Sequence, residues 1–266
     1  MTEQGKTKPK RFSRRRFLTA GALAMPALAV ADAGAIEPQW LKVQHVSLPG
    51  DKVGCRCVHF TDLHHKGDRA YMESVITQIN ALKPDYVFFT GDIIEKSQYV
   101  DEALELLSGV KSPMFGVPGN HDYWAQVPFT PIFRCFANTG GAWLLNQRVH
   151  IAGGQIEVTG FTLNHQYMPP VQPKPGVKNI LLMHYPVWAN QLGGQKFDLI
   201  LAGHSHGGQV RLPLLGPIFI PHDVGDYDMG LFQTPAGPLY VNPGIGYLDN
   251  FAVRFNCRPE ITVFDV

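Results

Sequence analysis

The chain has 266 residues, 45% of them apolar and 17% charged, with 23 Lys/Arg against 22 Asp/Glu. That is long for one compact domain, short for two and apolar enough for a sizeable core, so one folded domain is expected behind an N-terminal tail. Residues 1–35 carry seven Lys/Arg and two Asp/Glu, which leaves 16 positive and 20 negative side chains in the remainder, and a balance near −4 argues against a dedicated nucleic-acid binder.

In the tail, Lys6, Lys8, Lys10, Arg11 and Arg14 to Arg16 precede an apolar run from Phe17 to Ala31 that contains Pro26. The run has 15 residues, fewer than the roughly 20 that span a bilayer. Small-residue triplets "AVA" and "AGA" close it, so residues 1–35 read as a signal peptide, with an uncleaved membrane anchor as the alternative. Within it "SRRRFL", from Ser13 to Leu18, resembles the twin-arginine export signal, with Arg14 and Arg15 as the pair and Thr19 where a lysine is usual. The resemblance implies that the twin-arginine translocase carries the folded protein to the periplasm or the outer face of the cytoplasmic membrane.

Past the tail, "CRCVHFTDLH" is a strand-like run ending in acid and imidazole, and "DRAYMESVITQINALKPD" spaces its apolar residues at three and four before Pro84, as a helix does. "YVFFTGD" is a second apolar run ending in an acid, "QYVDEALELLSGV" a second helix, and "SPMFGVPGNHD" a third strand with a polar end. Residues 129–175 hold short alternating runs and close on the loop "MPPVQPKPG"; "NILLMHYP" and "FDLILAGHSH" then repeat the strand-to-imidazole arrangement. The last quarter is strand-rich and is expected to pair into a second sheet. Cys55, Cys57, Cys135 and Cys257 form no Cys-x-x-Cys pair and are expected as buried thiols, Cys55 and Cys57 on one face of a strand.

Five apolar strands therefore end in metal-binding residue types: Asp62 and His64, Asp92, Asn120 with His121 and Asp122, His184, and His204 with His206. Singly, each has an ordinary structural reading, Asp62 as a turn cap or Asn120 as a turn residue after Gly119. Five recurrences at one topological place, the edge where α/β sheets usually hold ligands, point to a site. Imidazole and carboxylate without cysteine suit Zn, Mn or Fe and disfavour a closed structural zinc site. Seven ligands from this set, Asp62, His64, Asp92, Asn120, His184, His204 and His206, exceed one tetrahedral ion and suit two divalent ions sharing a carboxylate, as in two-metal hydrolases.

In order, "DLH" (62–64), "GD" (91–92), "GNHD" (119–122), "MHYP" around His184 and "GHSHGGQ" (203–209) resemble the blocks of the calcineurin-like metallophosphoesterases. The Gly-Gly-Gln continuation and the C-terminal Arg-Pro-Glu-Ile-Thr, Arg258 to Thr262, are most similar to the bacterial YaeI and YkuE type branch of phosphodiesterases. The resemblance covers residues 40 to 266 and implies a four-layer αββα sandwich of two mixed sheets flanked by helices, over residues 36–266. It implies Asp62, His64 and His206 on one metal, Asn120, His184 and His204 on the other, and Asp92 bridging both. A hydroxide shared by the metals would attack phosphorus, His121 would assist the leaving group, and Asp122 would orient His121.

Glu95 stands where many members have Asp and is not expected to ligate; "NPGIG" (242–246) stands where an arginine often precedes the glycine. His65 is assigned to the surroundings of the pocket, His59 to packing and His222 to a loop bordering substrate, whereas His45, His150 and His165 carry no signal. The implied partner is a small-molecule or lipid-linked phosphodiester, with peripheral membrane association left open. A lipid-linked or nucleotide pyrophosphate, or a phosphomonoester, is the alternative substrate. A non-catalytic metal-binding protein is the alternative of a different class.

Overall fold

The computed structural model describes residues 13–48, 53–162, 174–248 and 251–266. The first element among the described residues is α1 (Arg14–Ala31), which keeps Pro26 inside the helix. Helical turns then continue to Gln39, so the apolar stretch Phe17–Gln39 has 23 residues, long enough to cross a membrane; a signal sequence passes the same test. A proline in a helix removes one hydrogen bond without ending it when its neighbours stay helical.

β1 (Lys42–Val46) and β2 (Arg56–Phe60) come next, followed by α2 (Arg69–Ala81), whose start is capped by the Asp68 carboxylate accepting from Tyr71 N at 3.2 Å. Met72, Val75, Ile76 and Ile79 form its buried stripe. β3 (Tyr86–Phe89), α3 (Val100–Leu107), β4 (Met114–Gly116), the short α4 (Asn120–Trp124), α5 (Phe129–Asn138) and β5 (Ala142–Trp143) complete the first half. The second half contains β6 (Gln147–Ile151), β7 (Ile156–Gly160), β8 (Lys178–Leu182), β9 (Leu199–Ala202), the hairpin β10 (Arg211–Leu212) and β11 (Gly216–Pro217), β12 (Gly230–Thr234), β13 (Gly237–Val241) and β14 (Glu260–Asp265).

These strands form two mixed six-stranded sheets, ordered β1-β14-β2-β3-β4-β5 and β12-β13-β9-β8-β7-β6. Strands β2 to β5 run parallel, as do β7, β8, β9 and β13. Along β3, Val87 and Phe89 face the helices while Phe88 faces the other sheet, the two-residue period of a strand buried on both sides. One core lies between α2, α3, α5 and the first sheet, and a second lies between the sheets, where Phe88, Phe115 and Phe264 meet Ile180, Leu182 and Leu201. The outer face of the second sheet is covered, among the described residues, by a 3-10 segment (Pro186–Gln191) that places Trp188 and Ala189 against Leu181 and Ile200.

Two readings of the sequence need correction. Phe129–Asn138 is a helix, because Ile132, Cys135 and Phe136 sit at helical spacing over the first core. In the last quarter only β12 and β13 join the second sheet; β14 crosses to the first and pairs with β1 and β2, its Thr262 and Glu260 tied back to Asn242 and Tyr240 by buried hydrogen bonds. All four cysteines are free thiols, Cys57, Cys135 and Cys257 buried, with Cys55 packed on the same inter-sheet cluster as Cys57. Most of the Pro-rich loop and His165 lie outside the described residues.

Candidate metal centre and cleft

The loops after β2, β3, β4, β8 and β9 meet at one edge of the molecule. Backbone bonds zip the first two together, Asp62 N to Gly91 O at 2.9 Å and His64 N to Asp92 O at 3.1 Å, so these ligands sit at fixed separations. Gly119 is needed there: a Cβ on it would stand 2.1 Å from Asp92 Oδ1. Five residues of the expected set adopt positive φ, Asp62 (50°), His64 (42°), Asp92 (61°), His204 (68°) and His206 (50°). Such backbone costs on the order of 1–3 kcal/mol per residue and persists where surroundings impose it, typically at functional sites.

The side chains converge. His64 Nε2 is 3.1 Å from His206 Nε2, 3.8 Å from Asp62 Oδ1 and 3.5 Å from Asp92 Oδ2. On the other side, His184 Nε2 is 3.3 Å from Asp92 Oδ2 and 3.0 Å from Asn120 Oδ1. Donor atoms fall into the groups Asp62–His64–His206 and Asp92–His184–His204, each within 4.8 Å, with a third group, His64–Asp92–His121, between them. Asp92 divides its carboxylate: Oδ1 accepts from His121 N at 2.8 Å, while Oδ2 faces both histidine sets.

The ring nitrogens turned away from the cluster are mostly held. His64 Nδ1 meets Glu95 Oε2 at 2.6 Å, His184 Nδ1 meets Thr90 O at 2.6 Å, and His204 Nε2 meets His222 O at 2.8 Å. Such partners fix ring orientation and tautomer and raise the basicity of a ligating imidazole. Glu95, set aside on the sequence, is thus a working part of the site, and its carboxylate also stands 3.3 Å from His121 Nδ1. Nothing local to "GDIIE" signals this, because both partners are distant in sequence or across a turn.

The turn that carries His204 and His206 runs through left-handed residues and a 3-10 segment (His206–Gly208), and this curvature sends them to different groups. One further expectation changes. Asp122 does not orient His121. Its buried carboxylate accepts from Asp92 N, Ile93 N and Gly119 N at 2.9, 2.9 and 2.8 Å and pins the β3 and β4 loops, which leaves Glu95 as the acid beside His121. His59 is buried against Thr90, and His65 is buried 3.4 Å from Glu102. The guanidinium of Arg254, fully buried, donates to the carbonyls of Pro243, Gly244, Gly246 and Cys257 and thereby holds the "NPGIG" turn against Asp62.

Charge follows this geometry. Burial alone would lower His64 and His184, but Asp62, Glu95 and Asp92 around the first and Asp92 around the second raise them to about 10 and about 9. Asp62 and Asp92 move the opposite way: burial favours their neutral forms, and the surrounding imidazoles outweigh it and hold both carboxyls well below the usual range. Burial lowers His204 to about 4 and holds His206 well below its ordinary value, while burial and Asp92 raise Asp122 to about 7. Buried carboxylates facing imidazole nitrogens that crowd one another form a donor set that a divalent cation satisfies better than shared protons do.

The cluster opens into two adjoining cavities of about 420 and 390 Å³, lined jointly by His121, His206, Phe219, Pro221 and Leu248. Residues 55–208, more than half of the chain, match the calcineurin-like phosphoesterase family. The chain belongs to that family. A calcineurin-like phosphoesterase is a metal-dependent phosphoester hydrolase, and the convergent His/Asp groups give this chain candidate residues for the metal. Its relatives include the uncharacterized metallophosphoesterase YkuE of Bacillus subtilis, 32% identical over 96% of this chain and 98% of the relative. The phosphodiesterase YaeI of Escherichia coli is 30% identical over 96% and 99%, and the UDP-2,3-diacylglucosamine pyrophosphatase LpxG of Chlamydia trachomatis is 26% identical over 90% and 93%.

Proposed function

We propose that this calcineurin-like phosphoesterase hydrolyses phosphodiesters with two divalent cations, Mn, Zn or Fe. The observation that carries this is Asp92 Oδ2, placed 3.5 Å from His64 Nε2 and 3.3 Å from His184 Nε2 between two donor groups. Asp62, His64 and His206 would hold one cation, Asn120, His184 and His204 the other, and Asp92 both. When bound, the pair supplies positive charge that polarises phosphoryl oxygens and acidifies water.

The chain's own groups then have distinct tasks. His121 lines both cavities, and its Nδ1 stands 3.3 Å from Glu95, the acid that also holds His64. From there its protonated form, stabilised by the Glu95 carboxylate, can give a proton to a departing oxygen and become the neutral imidazole. Burial lowers His121 from its ordinary value, which makes its protonated form a stronger acid. Asp122 acts through the backbone by fixing the Asp92 and Asn120 loops. Tyr185 supports the second donor group, its ring 4.2 Å from that of His204.

Relatives named as a phosphodiesterase and as a diacylglucosamine nucleotide pyrophosphatase favour a phosphoanhydride or phosphodiester over a monoester, and the apolar lining by Phe219, Leu248 and Phe251 favours a substrate with an apolar group. We read residues 1–35 as an export signal of the twin-arginine type, which places the enzyme outside the cytoplasmic membrane. The test is a panel of bis-aryl phosphate, aryl phosphate and nucleotide pyrophosphate with Mn²⁺ or Zn²⁺. Diester or anhydride turnover lost in Asp92→Ala supports the proposal; metal binding without turnover of any of the three supports storage instead.

A further inference from the structure

The hairpin β10–β11 projects from the metal-binding turn, and its loop is apolar and exposed. Residues 212–221, "LPLLGPIFIP", carry no charge. Leu214 is 106% exposed, Leu215 81%, Ile218 64% and Phe219 63%. A contiguous apolar surface of this kind is uncommon on a monomer and marks contact with a protein or a membrane. The hairpin is firmly seated: Ile218 N donates to Val210 O at 3.0 Å, Arg211 Nη1 donates to Gly207 O at 2.8 Å, and a Cβ on Gly208 would stand 2.5 Å from Pro217 Cβ. It is therefore a rigid extension of the turn that carries His204 and His206.

A second apolar element leaves from the same place. Ala33 O accepts from Arg254 N at 2.9 Å, and the Glu37 carboxylate accepts from Asn256 N and Cys257 N. Phe255, between them, pairs with Gln209 and Arg211 at the root of the hairpin, Arg211 N to Phe255 O being 2.9 Å. The apolar stretch Phe17–Gln39 and the hairpin thus meet the domain at one segment, Arg254–Cys257. Phe219 and Phe251 of this region also line the cleft beside His121 and His206.

We propose that the hairpin tip, Leu214, Leu215 and Ile218, inserts into the surface of a lipid bilayer and sets the mouth of the metal cleft on it, so that the enzyme takes phosphoesters whose apolar part stays in the membrane. A protein interface carries a polar rim around its apolar centre; ten uncharged residues at a tip, beside a stretch long enough to cross a membrane, match a bilayer better. The tip carries no cationic side chain, so insertion of the tip itself does not need anionic lipid. The substrate half of this proposal rests on the phosphodiesterase reading; the docking half does not.

The test uses the full chain with Leu215→Trp and phosphatidylcholine vesicles, with and without phosphatidylglycerol. Relative to the unsubstituted chain, the added fluorescence of the vesicle-bound chain should shift to shorter wavelength and be quenched by brominated acyl chains in both compositions. Emission that stays water-like on chains bound to vesicles overturns docking, as does a self-association that the double variant Leu214→Asp/Leu215→Asp disperses while the lipid signal is absent. In that double variant, turnover of a vesicle-embedded phosphodiester should fall at least tenfold with turnover of a soluble bis-aryl phosphate unchanged; equal turnover of the embedded diester overturns the substrate half. If the unsubstituted chain hydrolyses neither diester, the phosphodiesterase reading fails, and the fluorescence still decides docking.

Discussion

Asp92 works with both oxygens and its backbone at once. Oδ1 takes the His121 amide, Oδ2 faces two histidine sets, and its own N–H is held by Asp122. Asp92→Asn keeps the shape and removes the charge, so metal content should fall and turnover should drop by more than the roughly 10–100-fold typical of losing an outer partner; metal analysis with diester kinetics checks this. Glu95→Gln should cost within that range, because the ligands stay and only the fixing of His64 and His121 weakens. His121→Ala should keep its metal and slow diesters with poor leaving groups by about 10²–10⁴, activated ones far less; equal slowing would remove the proton-donor role. In the metal-free chain, His64 at about 10 and His184 at about 9 stand above the ordinary 6.5. The folded state therefore holds those protons more tightly than the unfolded state, and the stability this supplies is complete below about 6.5 and lost as pH rises through 9 to 10. Chelator-treated protein should melt lower at pH 10 than at pH 7, by a margin that shrinks in His64→Gln. Metal affinity should rise over the same window with proton release, read by calorimetry in two buffers of different ionisation enthalpy.

Between single residues and the whole lie the loops. Strand–loop junctions were legible as apolar runs ending in acid or imidazole, because a strand buried on both faces reads as continuous apolar sequence. The ligand types at those ends were legible for the same reason. The partners that orient them were not: Glu95 for His64, the Thr90 carbonyl for His184 and the His222 carbonyl for His204 are contacts set by tertiary placement, and a carbonyl leaves no mark in a sequence. The Asp122 misassignment has the same origin, since adjacency to His121 suggested a side-chain pair where the short helix turns the carboxylate toward three amides. Arg254 belongs to this scale too. Its loss in Arg254→Met would leave the carbonyls of Pro243, Gly246 and Cys257 without their guanidinium donor, and at about 1–3 kcal/mol each the cost should reach at least about 3 kcal/mol. Urea unfolding measures it, and Arg254→Lys should recover only part because an ammonium lacks the planar fork.

At the scale of the whole molecule, the two-sheet architecture followed from strands punctuated by helices, whereas the return of β14 to the first sheet did not. β14 has the same apolar texture as β13, and its place between β1 and β2 is a long-range pairing that the local sequence does not mark. α5 was missed because Pro131 and the β-branched and aromatic residues of "FTPIFRCFAN" weaken the helical signal that its buried stripe overrides. Arg14→Lys with Arg15→Lys should strand the precursor in the cytoplasm, as followed by fractionation, if the tail is a twin-arginine signal; normal export would refute that assignment. The account stands most directly on the shared carboxylate. An anomalous-difference map from crystals of metal-replete protein should show two peaks about 3.5–4 Å apart, with an Asp92 oxygen between them; a single peak, or a pair without Asp92 in contact with both, would contradict it.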